Sequence, residues 1–352
     1  MSSLHFKHTL VIGGTGFLGS HVVRNYLQHG IKLRVTGRSG QHSPLELQSA
    51  PVAIVPEFFK LDLSEPNDIF SAFEGQELVI HLAAMIHAAT PQERELQERV
   101  NVEGTREIIK ACRRARVARL VYVSSVAAIG ISAKAEAPAD ESFQFNLDHL
   151  RLSYNVTKHR AEQLVLAANG PQLETVVANP GVIFGRAQKG YQGAAIIERV
   201  LRRSLVICTH GGLSVVHVDD VVQGIQEIAE KGRSGQRYIL SGQNLSFKQI
   251  ADIVCQTAGA HRRVILLPNC IRDLAGIVLN AIARTRGRIP YTYLDRRYAY
   301  AFYSNEKAKT ELGFNPRPFA SIIQEYLDHA WRGGGSPLMN EDPCIHEASV
   351  RG

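Results

Sequence analysis

From residue 8 to residue 180, apolar runs of strand length alternate with helix-length amphipathic stretches. The runs are TLVIGG (9–14), KLRVTG (32–37), FFKLDL (58–63), ELVIHLAA (77–84), RLVYVSS (119–125) and TVVANP (175–180). They are nearly continuous in Val, Ile and Leu, as strands covered on both faces are. Helical patterns lie between them, such as GSHVVRNYLQHG (19–30) and RELQERVNVEGTREIIKACRRA (94–115). This alternation predicts an α/β fold, a doubly wound parallel sheet with helices on both sides. After Pro180 the rhythm changes. Strand-like pieces follow at SVVHV (214–218) and QRYILSG (236–242), and Ser246 is placed to cap a helix, FKQIADIVCQTAG, that closes near Gly259. The expected organisation is a larger domain over 1–180 and a smaller lobe over 181–332, some of whose elements return to the main sheet. Residues 333–352 read as a disordered tail.

Composition narrows the class. The chain has 352 residues, 45% hydrophobic and 21% charged, which suits a soluble globular protein with a substantial core. No apolar run is long enough to span a bilayer, and MSSLHFKHTLVIGG lacks the layout of a signal peptide. The five cysteines, Cys112, Cys208, Cys255, Cys270 and Cys344, are scattered and form no C-x-x-C pair. Neither a metal site nor a disulfide framework is expected, and a cytoplasmic setting is the simplest. The formal charge of +7 concentrates in CRRARVAR (112–119), LRR (201–203) and RTRGR (284–288). No aromatic-and-basic stacking pattern accompanies these clusters. They read as solvated helix faces with a mild pull on anionic ligands, not as a nucleic-acid surface.

The segment VIGGTGFLGSHVV places Gly13, Gly16 and Gly19 between the first strand and the first helix. In that context the glycines allow a tight turn, close backbone approach to a diphosphate and close helix–strand packing. The helix N-terminus adds amide donors and a positive dipole end. A Rossmann-type site is expected, with Thr15, Phe17 and Leu18 in the same loop. In NAD-binding folds an acidic residue about 20 positions on binds the ribose 2′-hydroxyl. Here the second strand ends in Gly37, followed by Arg38 and Ser39. An Arg pairs with a 2′-phosphate where a carboxylate repels it, so NADP(H) is favoured over NAD(H). Asp62 and Leu63 after the third strand are placed near the adenine. Ala83 and Ala84 after the fourth leave room for the cofactor.

RLSYNVTKHRAEQLV (151–165) sets Tyr154 and Lys158 four residues apart at the start of a helix, on one face. The fifth strand ends in Ser124 and Ser125. Strand C-terminal ends line the ligand crevice of a doubly wound sheet, so serine, tyrosine and lysine converge there. A free phenol titrates near pH 10, and a neighbouring ammonium is expected to lower that value. A serine hydroxyl would hold a substrate carbonyl. Such a set suits hydride transfer to or from a carbon bearing oxygen.

Nine ordered motifs between residues 8 and 318 resemble the extended short-chain dehydrogenase/reductases, also called the NAD-dependent epimerase/dehydratase superfamily. They are GGTGFLG, LDL, HLAA, NVEGT, VYVSS, YNVTK, NPGVIFG, VHVDD and SNEKAKTELGFNP. The resemblance implies a catalytic set of Ser125, Tyr154 and Lys158, with Ser124 a near alternative for the serine. It implies that Asn101 supports the site from a helix, and that Pro180 and Val182 meet the nicotinamide carboxamide through their backbone. His217 and Asp219 take structural places, a strand end and a helix N-cap.

Two arginines usual in the sugar-nucleotide epimerases of this superfamily are absent. Asn179 and Leu213 stand in their places. NPGVIFG and VVHVDD are closer to the branch of 3β-hydroxysteroid dehydrogenases and dihydroflavonol reductases, whose substrates are apolar, ring-bearing or long-chain. CIRDLAGIVLNAIARTRGRIPYTYL (270–294) would add apolar wall to the pocket, while Arg186, Arg296 and Arg297 are candidates for an acidic substrate group. The expected activity is an NADP(H)-dependent oxidoreductase acting on a ketone or secondary alcohol. The alternatives are a sugar-nucleotide epimerase or dehydratase, and a non-catalytic dinucleotide sensor. A small molecule is the expected partner, and a homodimer is plausible for the fold.

Overall fold

The computed structural model describes residues 6–38, 55–65, 69–150, 152–187, 190–271, 273–274, 276–277 and 299–332. In chain order the first elements are β1 (His8–Ile12), α1 (Phe17–Gln28), β2 (Lys32–Gly37), β3 (Glu57–Lys60), β4 (Leu78–His81), α2 (Pro91–Glu98), α3 (Gly104–Ala115), β5 (Arg119–Val123), α4 (Ser153–Ala167) and β6 (Glu174–Pro180). There follow β7 (Val182–Arg186), β8 (Tyr191–Gln192), α5 (Ala194–Leu201), β9 (Leu205–Cys208), β10 (Gly212–His217), α6 (Val218–Lys231) and β11 (Arg237–Leu240). The last are β12 (Gln243–Ser246), α7 (Phe247–Thr257), β13 (Arg263–Leu266), β14 (Tyr300–Ala301), α8 (Glu306–Leu312) and α9 (Phe319–Arg332).

The main sheet has seven strands in the order β11-β6-β5-β4-β1-β2-β3, every neighbouring pair parallel. From β1 the chain moves outward through β2 to β3, then crosses back to β4 on the other side of β1. That reversal opens a crevice beyond the C-terminal ends of β1 and β4, the position where such sheets bind ligands. Alternate strand residues face opposite layers. Leu10, Ile12, Val79, Leu120, Tyr122 and Val177 pack with Ile108 and Cys112 of α3 and Ala161 and Val165 of α4. Val11, Leu78, Ile80, Val121 and Val176 pack with Val22 and Val23 of α1 and Val221 and Ile225 of α6. Each fully buried aliphatic side chain contributes roughly 1.5–3 kcal/mol, so both faces hold the sheet.

The chain after residue 180 is divided between two structures. β11 pairs with β6 at the edge of the main sheet. β7, β8, β10, β12 and β14 form a second, mixed sheet, and β13 pairs with β9. A separate apolar core joins Phe184, Ile197, Leu201, Val254, Phe319 and Ile323. Ser246 caps α7 as the sequence suggests, in a reciprocal arrangement with Gln249. Among the described residues no helix is long and apolar enough to cross a membrane.

Several boundaries differ from the sequence pattern for local reasons. The third strand stops at Lys60 rather than running to Leu63, because Asp62 Oδ1 turns the chain by accepting from Ser64 N (2.9 Å) and Ser64 Oγ (2.7 Å). The stretch expected as one helix from Arg94 begins at Pro91, with Thr90 and Glu93 forming a capping box. It loosens into a π turn at Arg99–Glu103 before α3 resumes. The cap of α6 is His217 and not Asp219: the His217 ring accepts from Asp219 N at 3.2 Å. The tail from 333, and most of 270–294 with Arg296 and Arg297, lie outside the described residues.

Candidate active site

A cleft of about 700 Å³ lies at the C-terminal ends of the β1–β6 strands. Its floor is the turn between β1 and α1, where Gly13, Thr15, Gly16, Phe17, Leu18 and Gly19 all reach the surface. Gly13 has φ +82, and a Cβ there would meet Ala83 N at 2.8 Å. Gly19 is tighter, since a Cβ would meet Gly13 O at 2.2 Å. Gly16 opens α1 with no side-chain cap. The first-turn amides are therefore left for a ligand or solvent, and they carry the positive end of the helix dipole. A close-packed glycine cradle with free donors fits a dinucleotide diphosphate.

Arg38 follows β2 and lines the cleft, as do Asp62, Leu63 and Ser64 after β3. A Cβ at Gly37 would meet Thr15 Oγ1 at 2.7 Å, so a larger residue there would require the Thr15 side chain to shift. The Asp62 carboxyl is held below its ordinary range, chiefly by the hydrogen bonds from Ser64, with Arg38 and Lys60 adding to them. Ser39 lies outside the described residues.

Ala83, Ala84, Ser124, Ser125, Tyr154, Lys158, Pro180 and Val182 surround the other half of the cleft. Ser125 lies two residues beyond β5, which stops at Val123 rather than at the serines, and caps a short 3-10 turn, its Oγ accepting from Ala127 N at 3.1 Å. Tyr154 sits at the start of α4 within hydrogen-bonding reach of the Ser125 side chain. Lys158, one turn on, is 1% exposed. Its Nζ donates to Val123 O (2.8 Å) and lies 4.3 Å over the Tyr122 ring. Two directions differ from expectation. Burial raises the Tyr154 pKa, and the Ser125 contact only opposes this. Burial lowers Lys158 to about 7, opposed by Glu162. The phenol in this state is a protected neutral acid.

Ser124 Oγ is buried beside the cleft and has no hydrogen-bond partner among the described residues. Buried hydroxyls are rarely left so, and a bound polar group at this point would satisfy it. That orphan, with the glycine cradle, makes the cleft fit a dinucleotide on its own geometry.

Asn101, expected at the cofactor, does not line the cleft. It is buried in the π turn, where Oδ1 accepts from Met85 N (2.8 Å) and Nδ2 donates to Met85 O (3.0 Å) and Thr157 Oγ1 (3.1 Å). It therefore ties the loop after β4 to α4. Gln97 Nε2 donates to Met85 O and Ile86 O, both at 3.0 Å, and fixes the same loop. Sequence reasoning missed the wall that this loop builds: Met85, Ile86, Leu96 and Val100 line the cleft, with Ile183 and Gln192 opposite. The four-residue spacing of Leu96 on α2 and Val100 in the following π turn was the available signal; Gln192 offered none. Asn179 is buried, donating to Ser125 O (3.0 Å) and Glu162 Oε2 (2.7 Å). Leu213 packs on the second core. Arg186 is exposed at the end of β7 and is not among the cleft residues.

Residues 10–225 match the family model for the 3-beta hydroxysteroid dehydrogenase/isomerase family. A putative dihydroflavonol 4-reductase of Synechocystis sp. is 31% identical over 90% of this chain and 92% of its own. The crystal structure of gox2253 superposes with a TM-score of 0.80 at 30% identity, covering 95% of this chain and all (100%) of that one. MoeE5, solved with UDP-glucuronic acid and NAD, shares the fold at 20% identity and a TM-score of 0.69, over 93% of this chain and 99% of its own. With the glycine cradle and the Ser–Tyr–Lys cleft in place, these matches put the chain in the 3-beta hydroxysteroid dehydrogenase/isomerase family, an NAD(P)-dependent oxidoreductase of the extended short-chain dehydrogenase/reductase type.

Proposed function

We propose that the protein is an NADP(H)-dependent reductase of a ketone, or dehydrogenase of the matching secondary alcohol, acting on an apolar or ring-bearing substrate. The observation that carries this reading is the convergence of Ser125, Tyr154 and Lys158 on the cleft floored by the glycine turn. The dinucleotide, when bound, supplies or accepts the hydride. The Ser125 hydroxyl holds the substrate oxygen. Tyr154 delivers a proton to that oxygen in reduction and takes it back in oxidation. Its burial keeps the phenol protonated, which suits the donor role. Lys158 places positive charge beside the phenol and is positioned to hold the nicotinamide ribose. Gly13, Gly16 and Gly19 receive the diphosphate, and Pro180 and Val182 border the nicotinamide. Ile183 and Gln192, from the chain after residue 180, border the substrate side.

The substrate side supports an apolar ligand. Met85, Ile86, Leu96, Val100 and Ile183 line it, and among the described cleft residues the cations are Arg38 and Lys158. A sugar nucleotide needs cations for its own diphosphate, and Asn179 and Leu213 give none at the two usual positions. The test is to follow NADPH absorbance with a panel of ring-bearing ketones. Ketone-dependent oxidation is expected. Its absence, with interconversion of UDP-sugars instead, overturns the assignment.

The cofactor preference rests on Arg38 in the cleft and on glycine, not an acid, at position 37. Arg38→Ala is expected to weaken NADPH binding by about tenfold or more, since charge-assisted hydrogen bonds are worth roughly 1.5–3 kcal/mol. NADH binding should change by less than about threefold. Fluorescence titration of both cofactors checks this, and equal losses would reassign Arg38.

A further inference from the structure

Behind Lys158 lies a charged array that proton delivery by Tyr154 does not use. Glu162 is one helical turn beyond Lys158 on α4, and its side chain is 0% exposed. One oxygen, Oε1, accepts from Arg237 Nη1 at 2.8 Å; the other, Oε2, accepts from Asn179 Nδ2 at 2.7 Å. Arg237 comes from β11 and is anchored in turn. Its Nε and Nη2 donate to Glu141 O (2.8 and 2.6 Å), and Nη2 also donates to Phe143 O (3.2 Å). Asn179 comes from β6, and the same Nδ2 donates to Ser125 O at 3.0 Å. A buried carboxylate therefore stands between the guanidinium of one strand and the backbone of the proposed catalytic serine, one turn from the proposed catalytic lysine.

We propose that Glu162, clamped between Arg237 and Asn179, is a positioning residue that holds Lys158 as an ammonium and fixes the Ser125 segment beside it. This rests on the roles given above to Ser125, Tyr154 and Lys158.

A buried ammonium needs a compensating charge or it releases its proton. The groups around Lys158 supply little else. Tyr122 on β5 is kept neutral by burial, which pushes its phenol well up. His81 on β4 is also neutral, pushed down to about 3 by burial and then by Lys158 itself. Tyr154 on α4 is a raised phenol. Glu162 is the group that pulls Lys158 upward against its burial. Arg237 is a permanent cation, and it meets Glu162 Oε1 at 2.8 Å. The pair with Arg237 is a structural clamp, while the field of Glu162 at Lys158 is the functional part.

The two members of the clamp should act on Lys158 with opposite signs, and the titration of Lys158 Nζ reads this directly. It can be followed by heteronuclear NMR in the cofactor-free protein, the resonance assigned by its loss in Lys158→Met. Glu162→Gln is expected to lower the midpoint by about one pH unit or more, from loss of the opposite charge one helical turn away. The alkaline limb of kcat with NADPH and a ketone should move down with it, and Glu162→Asp should restore both. Arg237→Gln removes the competing cation and should move the midpoint up. The double variant Glu162→Gln, Arg237→Gln leaves no unpaired guanidinium, which guards against loss of the fold, and its midpoint should lie below the parent's by less than in Glu162→Gln. A midpoint unmoved in Glu162→Gln and in the double variant, with the rate lost equally at every pH, overturns the proposal. Failure of the parent reading has a different mark, namely turnover that survives loss of the Tyr154 hydroxyl.

Discussion

Replacing Tyr154 with Phe is expected to lower kcat by about 10²- to 10⁴-fold, the usual worth of a positioned general acid, while NADPH affinity changes by less than about twofold. The substitution removes one oxygen and keeps the ring that packs at the start of α4. The oxygen that is lost interacts with the Ser125 side chain. The Ser125 Oγ keeps its bond from Ala127 N at 3.1 Å, so the substrate-side hydroxyl stays in place. The Lys158 bond to Val123 O, at 2.8 Å, is independent of the phenol as well. Steady-state kinetics with a fluorescence titration of NADPH separate the two effects. A variant that turns over ketone at near the parent rate would remove Tyr154 from proton delivery.

The pH dependence follows from the same environment. Burial raises the Tyr154 pKa, so the phenol remains a proton donor across the neutral range. Lys158 is lowered to about 7, chiefly by burial, so the ammonium is the group that titrates as pH rises from there. Reduction is therefore expected to weaken on the alkaline side through loss of the Lys158 charge, not through ionisation of Tyr154. The bound dinucleotide will move that limb, and comparing the limb with the cofactor-free titration measures by how much.

Much of this arrangement was legible because strand periodicity and glycine spacing are local properties. Val11 and Val35 alternate with their neighbours wherever both faces are covered, and Gly13, Gly16 and Gly19 meet their demands within one turn. The C-terminal end of the third strand was not legible. The apolar pattern continues to Leu63, but Asp62 bends the chain through Ser64. The break in the helix at Asn101 was also hidden, since the amphipathic pattern from Arg94 to Ala115 runs through the π turn. Glu162 reads in sequence as an ordinary solvated acid in KHRAEQLV. Only the fold shows it buried, because Arg237 lies 75 positions away and reaches it by the return of β11 to the main sheet. The apolar wall sought in 270–294 has a described counterpart elsewhere, in Met85 and Ile86, which Gln97 and Asn101 hold against the cleft.

Gly19→Ala is expected to weaken dinucleotide binding by about 5- to 150-fold, although alanine is the better helix former by roughly 1 kcal/mol. Gly19 lies in the first turn of α1, where the helix meets the loop it springs from. A Cβ would stand 2.2 Å from Gly13 O, 2.8 Å from Gly14 Cα and 3.0 Å from Gly13 C. All three are backbone atoms, so no side chain can swing aside; the turn must open. Gly13 is held by its bond to Thr36 O at 3.2 Å, and its own carbonyl accepts from Gly16 N at 3.1 Å. Displacing that carbonyl breaks the cradle where the diphosphate amides converge. Overpacking of this kind costs about 1–3 kcal/mol, and its full weight falls on the loop. Gly170→Ala is the control, because nothing lies within 4 Å of a Cβ there. It should bind NADPH as the parent does. Calorimetric titration of the three proteins decides the matter: a Gly19→Ala protein that is folded and binds within about threefold of the parent would mean that the diphosphate does not rest on this turn.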